Sequence, residues 1–390
     1  DRTVVGIQGL CSICGKHYSE GLPLQAAHGF SLRDLLRWDN VAMQRRHYLR
    51  RGDMERAALS ITQHVLGRTH WDAAAAHMLA PQAQYHFCGE TLRESFYSGS
   101  WQYGSCQKHS IFASGPDTPI KGFHLLLEAL KLVLQQYPDA VISVPGPDIF
   151  RCQGRQRLLE QTYHQYLRRY AAKNGLTDHV HFLGRLDAAQ MKQAFLSANV
   201  FVLPSVMENS PNILGEAMLL GLPCIAADVG GVSSMLHAPE EGLLYQSSAP
   251  YVLAQDICQI FAMKAEAAVM GAAAQARAQK NHAPETNLRS LLTIYAFAMP
   301  FKVSAATLIV GLFRGGGDVY ARANRELFAQ YEKTHAPEGE ITFLAVDPAL
   351  EGQGVGTLLL GELARREAGK EFFLYTDDGC TYAFYEHRGF

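Results

Sequence analysis

Val202 to Ala227 reads VLPSVMENSPNILGEAMLLGLPCIAA, and the fold turns on how this stretch is parsed. With Val200 and Phe201 in front, VFVLPS is an apolar run rich in β-branched residues and closed by Pro204, the pattern of a parallel strand covered on both faces. Pro211 suits the first position of a helix, ILGEAMLLG supplies its body, and Gly221 with Pro223 ends it. CIAA is then a second buried strand. Two carboxylates bracket the turn, Glu208 in the loop and Glu216 in the second turn of the helix. Backbone N–H groups at a helix start, with the helix dipole behind them, seat a phosphate. A glutamate one or two turns further on can accept hydrogen bonds from a sugar's vicinal hydroxyls. The arrangement suits a sugar nucleotide, although such a pair also occurs by chance on a solvated helix face.

The longer string E-N-S-P-N-x-x-G-E-A-M-x-x-G-x-P resembles the donor-site motif of retaining glycosyltransferases of family 4. That resemblance implies a GT-B type α/β fold with two Rossmann-like doubly wound domains and a nucleotide-diphosphate sugar as donor. It implies Glu216 on the ribose hydroxyls and Glu208 against the donor sugar or the phosphate side. The backbone at Asn209, Ser210, Pro211, Asn212 and Ile213 would help to hold the diphosphate. Upstream, P-x-K-G-x-x-x-L-L-x-A around Lys121 resembles the family's diphosphate-binding lysine. An ammonium there can neutralise the pyrophosphate and the charge that develops as the nucleotide leaves, whereas a lone surface lysine is ordinarily just solvated. The resemblance makes Lys121 and Glu208 the catalytic candidates and sets Arg185 and Leu186 against the base through backbone groups. Many relatives carry a His where this chain has Gln8. A Gln can hydrogen-bond to hydroxyls but cannot titrate, and a structural turn residue fits the position equally well. Most relatives also place an acid at Ser234, so weaker anchoring of the Gly230-Gly231 loop is expected.

At 390 residues, 48% hydrophobic and 18% charged, the chain has room for two or three globular domains. A formal net charge of −2 offers no basic field for nucleic acid. Eight cysteines in this length do not make a disulfide framework, and Cys11 and Cys14 form a lone CxxC without a second pair or paired histidines. Reduced thiols, a cytoplasmic location and no metal site are expected. Family members of this type often need no metal, so no cofactor is expected for glycosyl transfer beyond the donor itself.

The chain opens on DRTVVGIQG, with neither a signal peptide nor a Met, inside a strand from Thr3 to Ile7. A polar, basic helix from Val41 to Gln63 is expected to be interrupted near Gly52, followed by a strand His64 to Gly67 and a helix Trp71 to Met78. GRTHWDAAAAHM and YHFCGETLRESFY resemble the late part of the acceptor-side domain in a bacterial branch of family 4. Since no glycine-rich loop precedes Thr3, roughly the first half of that domain is expected to be missing. SIFAS, AVISVPG and VHFLG are further strands, a helix runs from Lys121 to Gln136, and Arg151 to Lys173 forms a long basic-faced helix. His179 and His181 flank a strand and read as structural. GLLYQ is a strand, Ala249 to Met263 a helix, and Asn287 to Ala296 a closing helix. This alternation predicts parallel doubly wound sheets, with residues 1–108 as an incomplete acceptor-side domain and 109–296 as the nucleotide-sugar domain.

From Phe297 the pattern stops. Residues 297–316 form an apolar connecting segment, interrupted by Pro300 and Lys302, near the lower length for a membrane span of about 17 residues. GLFRGGGDV within it resembles a segment of multidrug (MATE) transporters. An ordinary buried helix, misplaced sequence and a peripheral membrane contact all remain open for it. In residues 317–390, ITFLAVDP, EGQGVG, TLLLGELARREA, FFLYT and CTYAFYEHRGF together resemble the core of GNAT N-acetyltransferases. That resemblance implies α+β structure, acetyl-CoA at Val346, Gln353, Gly354, Val355 and Gly356, and Tyr385 as the acid for the departing thiolate. Glu351 stands where Arg or Gln is usual, and its charge opposes a pyrophosphate. The leading expectation is therefore a retaining glycosyltransferase acting between a nucleotide sugar and an unknown acceptor hydroxyl. Its rivals are a composite chain that binds nucleotide sugar without turnover, and an acetyl-CoA-dependent N-acetyltransferase.

Overall fold

The computed structural model describes residues 4–152, 154, 157 and 159–298, together with two short strands at 339–341 and 372–374. The chain divides into two compact units, Asp1–Met299 and Pro300–Phe390. In the first unit, β1 (Val4–Gly6), β2 (His64–Gly67) and β3 (Gln84–Phe87) form a parallel three-stranded sheet in that order. The second sheet holds β4 (Ser110–Ala113), β5 (Val141–Val144), β6 (Val180–Phe182), β7 (Val200–Leu203), β8 (Cys224–Ala227) and β9 (Leu243–Tyr245). Its order is β6-β5-β4-β7-β8-β9, parallel throughout. Counted from its own first strand this is the doubly wound dinucleotide order, which reverses between β4 and β7. The second unit's described strands, Gly339–Ile341 and Phe372–Leu374, pair in parallel.

The apolar run Val200–Leu203 lies inside this sheet, between β4 and β8. All four residues of β7 are fully buried, and they alternate between two cores. Val200 and Val202 join the core that includes Ile111, Leu126 and Leu130. Phe201 and Leu203 join the opposite one, with Phe112, Phe195 and Leu214. A strand covered on both faces can be apolar at every position because neither side meets water. Burial of each such side chain favours the fold by about 1.5–3 kcal/mol.

Several local expectations change. The helix α4 (Val41–Ile61), which follows α1 (Cys11–His17), α2 (Leu24–His28) and α3 (Leu32–Arg37), runs through Gly52 without a break. Gly52 is there for space: a Cβ on it would lie 2.5 Å from Ser12 Cα of α1. The basic helix begins only at Thr162, because Gln161 has extended backbone, and the helix runs to Lys173. Residues 153, 155, 156 and 158 of the expected longer helix lie outside the described residues. Pro211 is the residue before the Asn212–Leu219 helix rather than its first turn. After β4 the chain makes a 3-10 turn over Pro119–Lys121 and enters α6 (Phe123–Val133) through Gly122, whose φ is +67°. A Cβ at Gly122 would sit 1.8 Å from Pro204 O, so only glycine lets the loop after β4 press on the loop after β7.

On α6, His124 is buried, with Nε2 donating to Glu20 O at 2.9 Å and Nδ1 accepting from Tyr163 OH at 3.2 Å. Burial holds its pKa down at about 4, against 6.5 in the unfolded chain. Between those values the unfolded chain binds the extra proton, so stability is full above the upper one and falls as pH drops toward the lower. The loss should be on the order of 3 kcal/mol at the acid end. Urea unfolding at neutral pH and near pH 4.5 should show this slope, and His124→Gln should flatten part of it; an unchanged slope would remove His124 as a source. Gly52→Ala should cost about 1–3 kcal/mol in the same assay, by forcing α1 off α4.

Candidate functional site

The loops after β4 and β7 meet where the strand order reverses, the place at which an open α/β sheet leaves a crevice for a ligand. Val206 N donates to Ile120 O at 2.9 Å and ties the two loops together. That contact brings Lys121 Nζ to 2.6 Å from Glu208 Oε1, which also accepts from Ser205 Oγ at 2.8 Å. Burial pulls the Lys121 pKa down, but the charge and hydrogen bond of Glu208 outweigh it and hold it above the usual lysine value. The ammonium is therefore charged at neutral pH. The pair borders a cavity of about 190 Å³ walled on its other side by Gln8, Tyr48 and Trp71. Gln8 accepts from Arg68 Nη1 at 2.9 Å, which fixes its amide at the cavity's edge.

Asn209 follows Glu208, and its side chain turns to the first sheet instead of to a diphosphate. Its side chain is buried in the N-terminal capping box of α5 (His70–Leu79). Asn209 Nδ2 donates to Asp72 Oδ2 at 2.8 Å and to Ile7 O at 3.3 Å, while its Oδ1 accepts from Thr69 Oγ1 at 2.6 Å. Asp72 is fully buried and also accepts from Tyr85 OH at 2.6 Å and from Arg68 N at 2.9 Å. Burial and the Asp72 carboxylate both push the Tyr85 pKa up. The side chain of Asn209 is thus a bolt between the two sheets. Gly230 and Gly231 close over the same loop: their Cβ atoms would lie 1.9 Å from Glu208 O and 2.4 Å from Asn209 O. Ser234, for which weaker anchoring of the glycine loop was expected, accepts from His70 N at 3.2 Å and ties that loop to the start of α5.

Glu216 lies elsewhere. Its buried carboxylate takes a two-pronged ion pair from Arg93, with Nε and Nη2 each at 2.6 Å. Arg93 also stacks on Phe96, its Cζ 4.7 Å from the ring centre. Neither Glu216, Pro211, Asn212 nor Ile213 lines the Lys121–Glu208 cavity. Arg185 and Leu186 follow β6, past the Gly146–Gly184 bridge and two strands from β4, and do not line it either. Ser210 faces a second, smaller cleft with Arg68 and Glu90. The sequence held one unused sign of the buried bolt, since Thr69-x-x-Asp72 is a capping-box spacing. Nothing local marked Arg93, which meets Glu216 from 123 residues away. Cys11 and Cys14 are free thiols on α1. Burial raises both, Cys14 to about 12, which leaves them protonated at neutral pH. Among the described residues no cluster of His, Cys, Asp or Glu could hold a metal ion. Val346, Gln353, Gly354, Val355, Gly356 and Tyr385, like the apolar segment from 299, lie outside the described residues.

A parallel sheet in this order, with a charged pair at its switch point, places the domain in the Rossmann-like doubly wound α/β class. Comparison with known proteins narrows it. Residues 106–277 match the family model Glycosyl transferases group 1, and residues 319–390 match the Acetyltransferase (GNAT) family. The first segment is accordingly a glycosyltransferase group 1 domain and the second a GNAT domain. The chain is similar to the putative glycosyltransferase YtcC of Bacillus subtilis, 32% identical over 41% of this chain and 37% of that protein. It is also similar to the phosphatidyl-myo-inositol mannosyltransferase of Mycobacterium leprae, 30% identical over 36% of this chain and 34% of that one. The chain thus spans about a third of the length of these relatives. Among solved structures, sucrose-phosphate synthase from Thermosynechococcus elongatus superposes with a TM-score of 0.51 at 20% identity, over 84% of this chain and 68% of that one. Staphylococcus aureus TarM, in complex with fondaparinux, alpha-GlcNAc-glycerol and UDP, superposes at 0.50 with 16% identity, over 59% and 43%. These likenesses establish the fold as GT-B type.

Asn209→Ala would strip Asp72 and Thr69 of a buried partner and should lower stability by about 1–3 kcal/mol in thermal or urea unfolding. A variant as stable as the parent would mean that water replaces the amide and that the bolt contributes little.

Proposed function

We propose that the chain is a retaining glycosyltransferase of family 4, moving a sugar from a nucleoside-diphosphate donor to an acceptor hydroxyl. The observation that supports this most is the Lys121–Glu208 pair at the switch point of a group 1 domain, 2.6 Å apart beside a cavity that also meets Gln8 in the loop after β1. In this reading the donor's diphosphate enters the cavity and takes Lys121 from Glu208. As the bond between the anomeric carbon and the diphosphate oxygen breaks, the ammonium balances the charge left on the leaving group. The carboxylate of Glu208, released from Lys121, faces the donor sugar, and Gln8 offers its amide to a sugar hydroxyl. The acceptor oxygen then bonds to the anomeric carbon on the face that the diphosphate leaves, and its proton passes to the departing diphosphate oxygen. The UDP in the TarM complex makes a nucleoside diphosphate the natural first probe.

For Glu216 the reading carries a condition. Its carboxylate is taken by Arg93, whose side chain is 44% exposed and has room to swing away. Ribose hydroxyls reach Glu216 only by displacing or joining that guanidinium. The GNAT match over residues 319–390 supports a second activity in the same chain, with acetyl-CoA as its ligand.

Calorimetric titration with UDP, GDP and CoA separates these roles. UDP or GDP should bind, and Lys121→Ala should weaken that binding by about 1.5–3 kcal/mol, the worth of a hydrogen bond to a charged group. Glu216→Ala should cost about 1–3 kcal/mol if the ribose reaches it. Unchanged affinity in that variant would leave Glu216 as the structural partner of Arg93. Silence with both nucleotides would end the glycosyl-transfer reading, and heat from CoA alone would move the function to the C-terminal unit.

A further inference from the structure

The smaller cleft, about 100 Å³, lies on the other side of Asn209 from the Lys121–Glu208 cavity. Its floor is an ion pair between Arg68 Nη1 and Glu90 Oε2, both side chains largely buried. Two contacts hold that floor still. Arg68 Nη1 also donates to Gln8 Oε1, and Glu90 O accepts from His282 Nδ1 at 2.7 Å. At the rim stands Phe87, the last residue of β3, which is 64% exposed. Ser210, Asn281 and His70 are among the other residues that line it.

Three features of this cleft point to one kind of ligand. The Arg68 side chain is 10% exposed and held by both Glu90 and Gln8, whereas that of Lys121 is 40% exposed, so a phosphate cannot draw the guanidinium out as it could the ammonium. A guanidinium and a carboxylate side by side do match vicinal hydroxyls, which both donate and accept hydrogen bonds. An exposed aromatic face beside such a pair offers an apolar surface to the C–H face of a ring. At about 100 Å³ the cleft has about half the volume of the Lys121–Glu208 cavity, about 190 Å³, which suits one end of a larger molecule rather than the whole of it. The position fits an acceptor, because Arg68 joins this cleft to Gln8 at the edge of the donor cavity.

We infer that this cleft binds the terminal polyhydroxylated six-membered ring of the acceptor. Phe87 packs on its C–H face, and Arg68 with Glu90 takes two neighbouring hydroxyls. The inference rests on the glycosyl-transfer reading and gives its acceptor a chemical class. Pyranosides and cyclitols share that chemistry, and the probes tell them apart.

The test is saturation-transfer NMR on the full chain with methyl β-D-glucopyranoside, methyl β-D-galactopyranoside and myo-inositol, and with glycerol as the open-chain control. At least one cyclic probe should bind and glycerol should not. Phe87→Ala should weaken that binding about tenfold and Phe87→Tyr should largely preserve it. UDP affinity by calorimetry should be the same in Phe87→Ala as in the parent, which also shows that the variant is folded. Binding by none of the rings, equal binding by glycerol, or an unaffected Phe87→Ala would overturn the inference. So would a change of oligomeric state in that variant, which would make Phe87 part of an interface. Nucleotide binding without ring binding would sink this inference alone, whereas loss of both would sink the glycosyl-transfer reading with it.

Discussion

A buried carboxylate has to be satisfied, and the way Asp72 is satisfied fixes the relation between the two sheets. An ionised side chain removed from water is tolerated only when hydrogen-bond donors surround it. Asp72 receives them from its own capping box, from Tyr85 and, across the junction, from Asn209 of the loop after β7. The same amide reaches Ile7 O, just past β1. One side chain therefore pins the end of the first sheet to the switch-point loop of the second. The glycines at 230 and 231 follow from it, since a loop held this tightly leaves no room for a Cβ against its carbonyls. So does the place of Glu208, which precedes Asn209 and cannot move far while the bolt holds.

Around this fixed strip the cations are already spoken for. Lys121 is paired with Glu208, Arg93 with Glu216 and Arg68 with Glu90. Such pairing spares each half-buried charge the cost of standing alone, which exceeds what a well-made pair gains. It also shapes how a diphosphate would bind. An anion entering beside Glu208 gains the lysine only by exchange, so net affinity is a difference between two ion pairs rather than the full strength of one. Selectivity follows from the same balance, because a weaker anion would not separate Lys121 from Glu208.

Much of this was legible in the chain. The unbroken apolar run of β7 announced a strand covered on both faces, and the alternation of strands and helices announced a parallel sheet. Their motifs singled out Lys121 and Glu208, and the sheet order explains why two side chains 87 residues apart meet. What escaped was of another physical kind. Gly52 reads as a helix breaker by propensity, yet tertiary packing against Ser12 decides its presence. The short helices α1, α2 and α3 have too few turns to show a period. The partner of Glu216 is a matter of three-dimensional approach, and no local spacing encodes an arginine that arrives from another segment.

Gln8 shows how these levels join. By residue type alone it was either a ligand for hydroxyls or a turn residue. Its neighbour Ile7 is held by Asn209, and its own amide is held by Arg68, which in turn is held by Glu90. The residue borders the larger cavity and its amide is bonded to Arg68 of the smaller cleft, so one hydrogen bond links the two spaces. A ligand that moved Arg68 would turn the Gln8 amide, and a donor that drew on that amide would feel the occupant of the cleft. A glutamine suits that post because its hydrogen bonding does not depend on pH. A histidine there would set its own tautomer and charge against those of Arg68, and the link between the two sites would change with the proton.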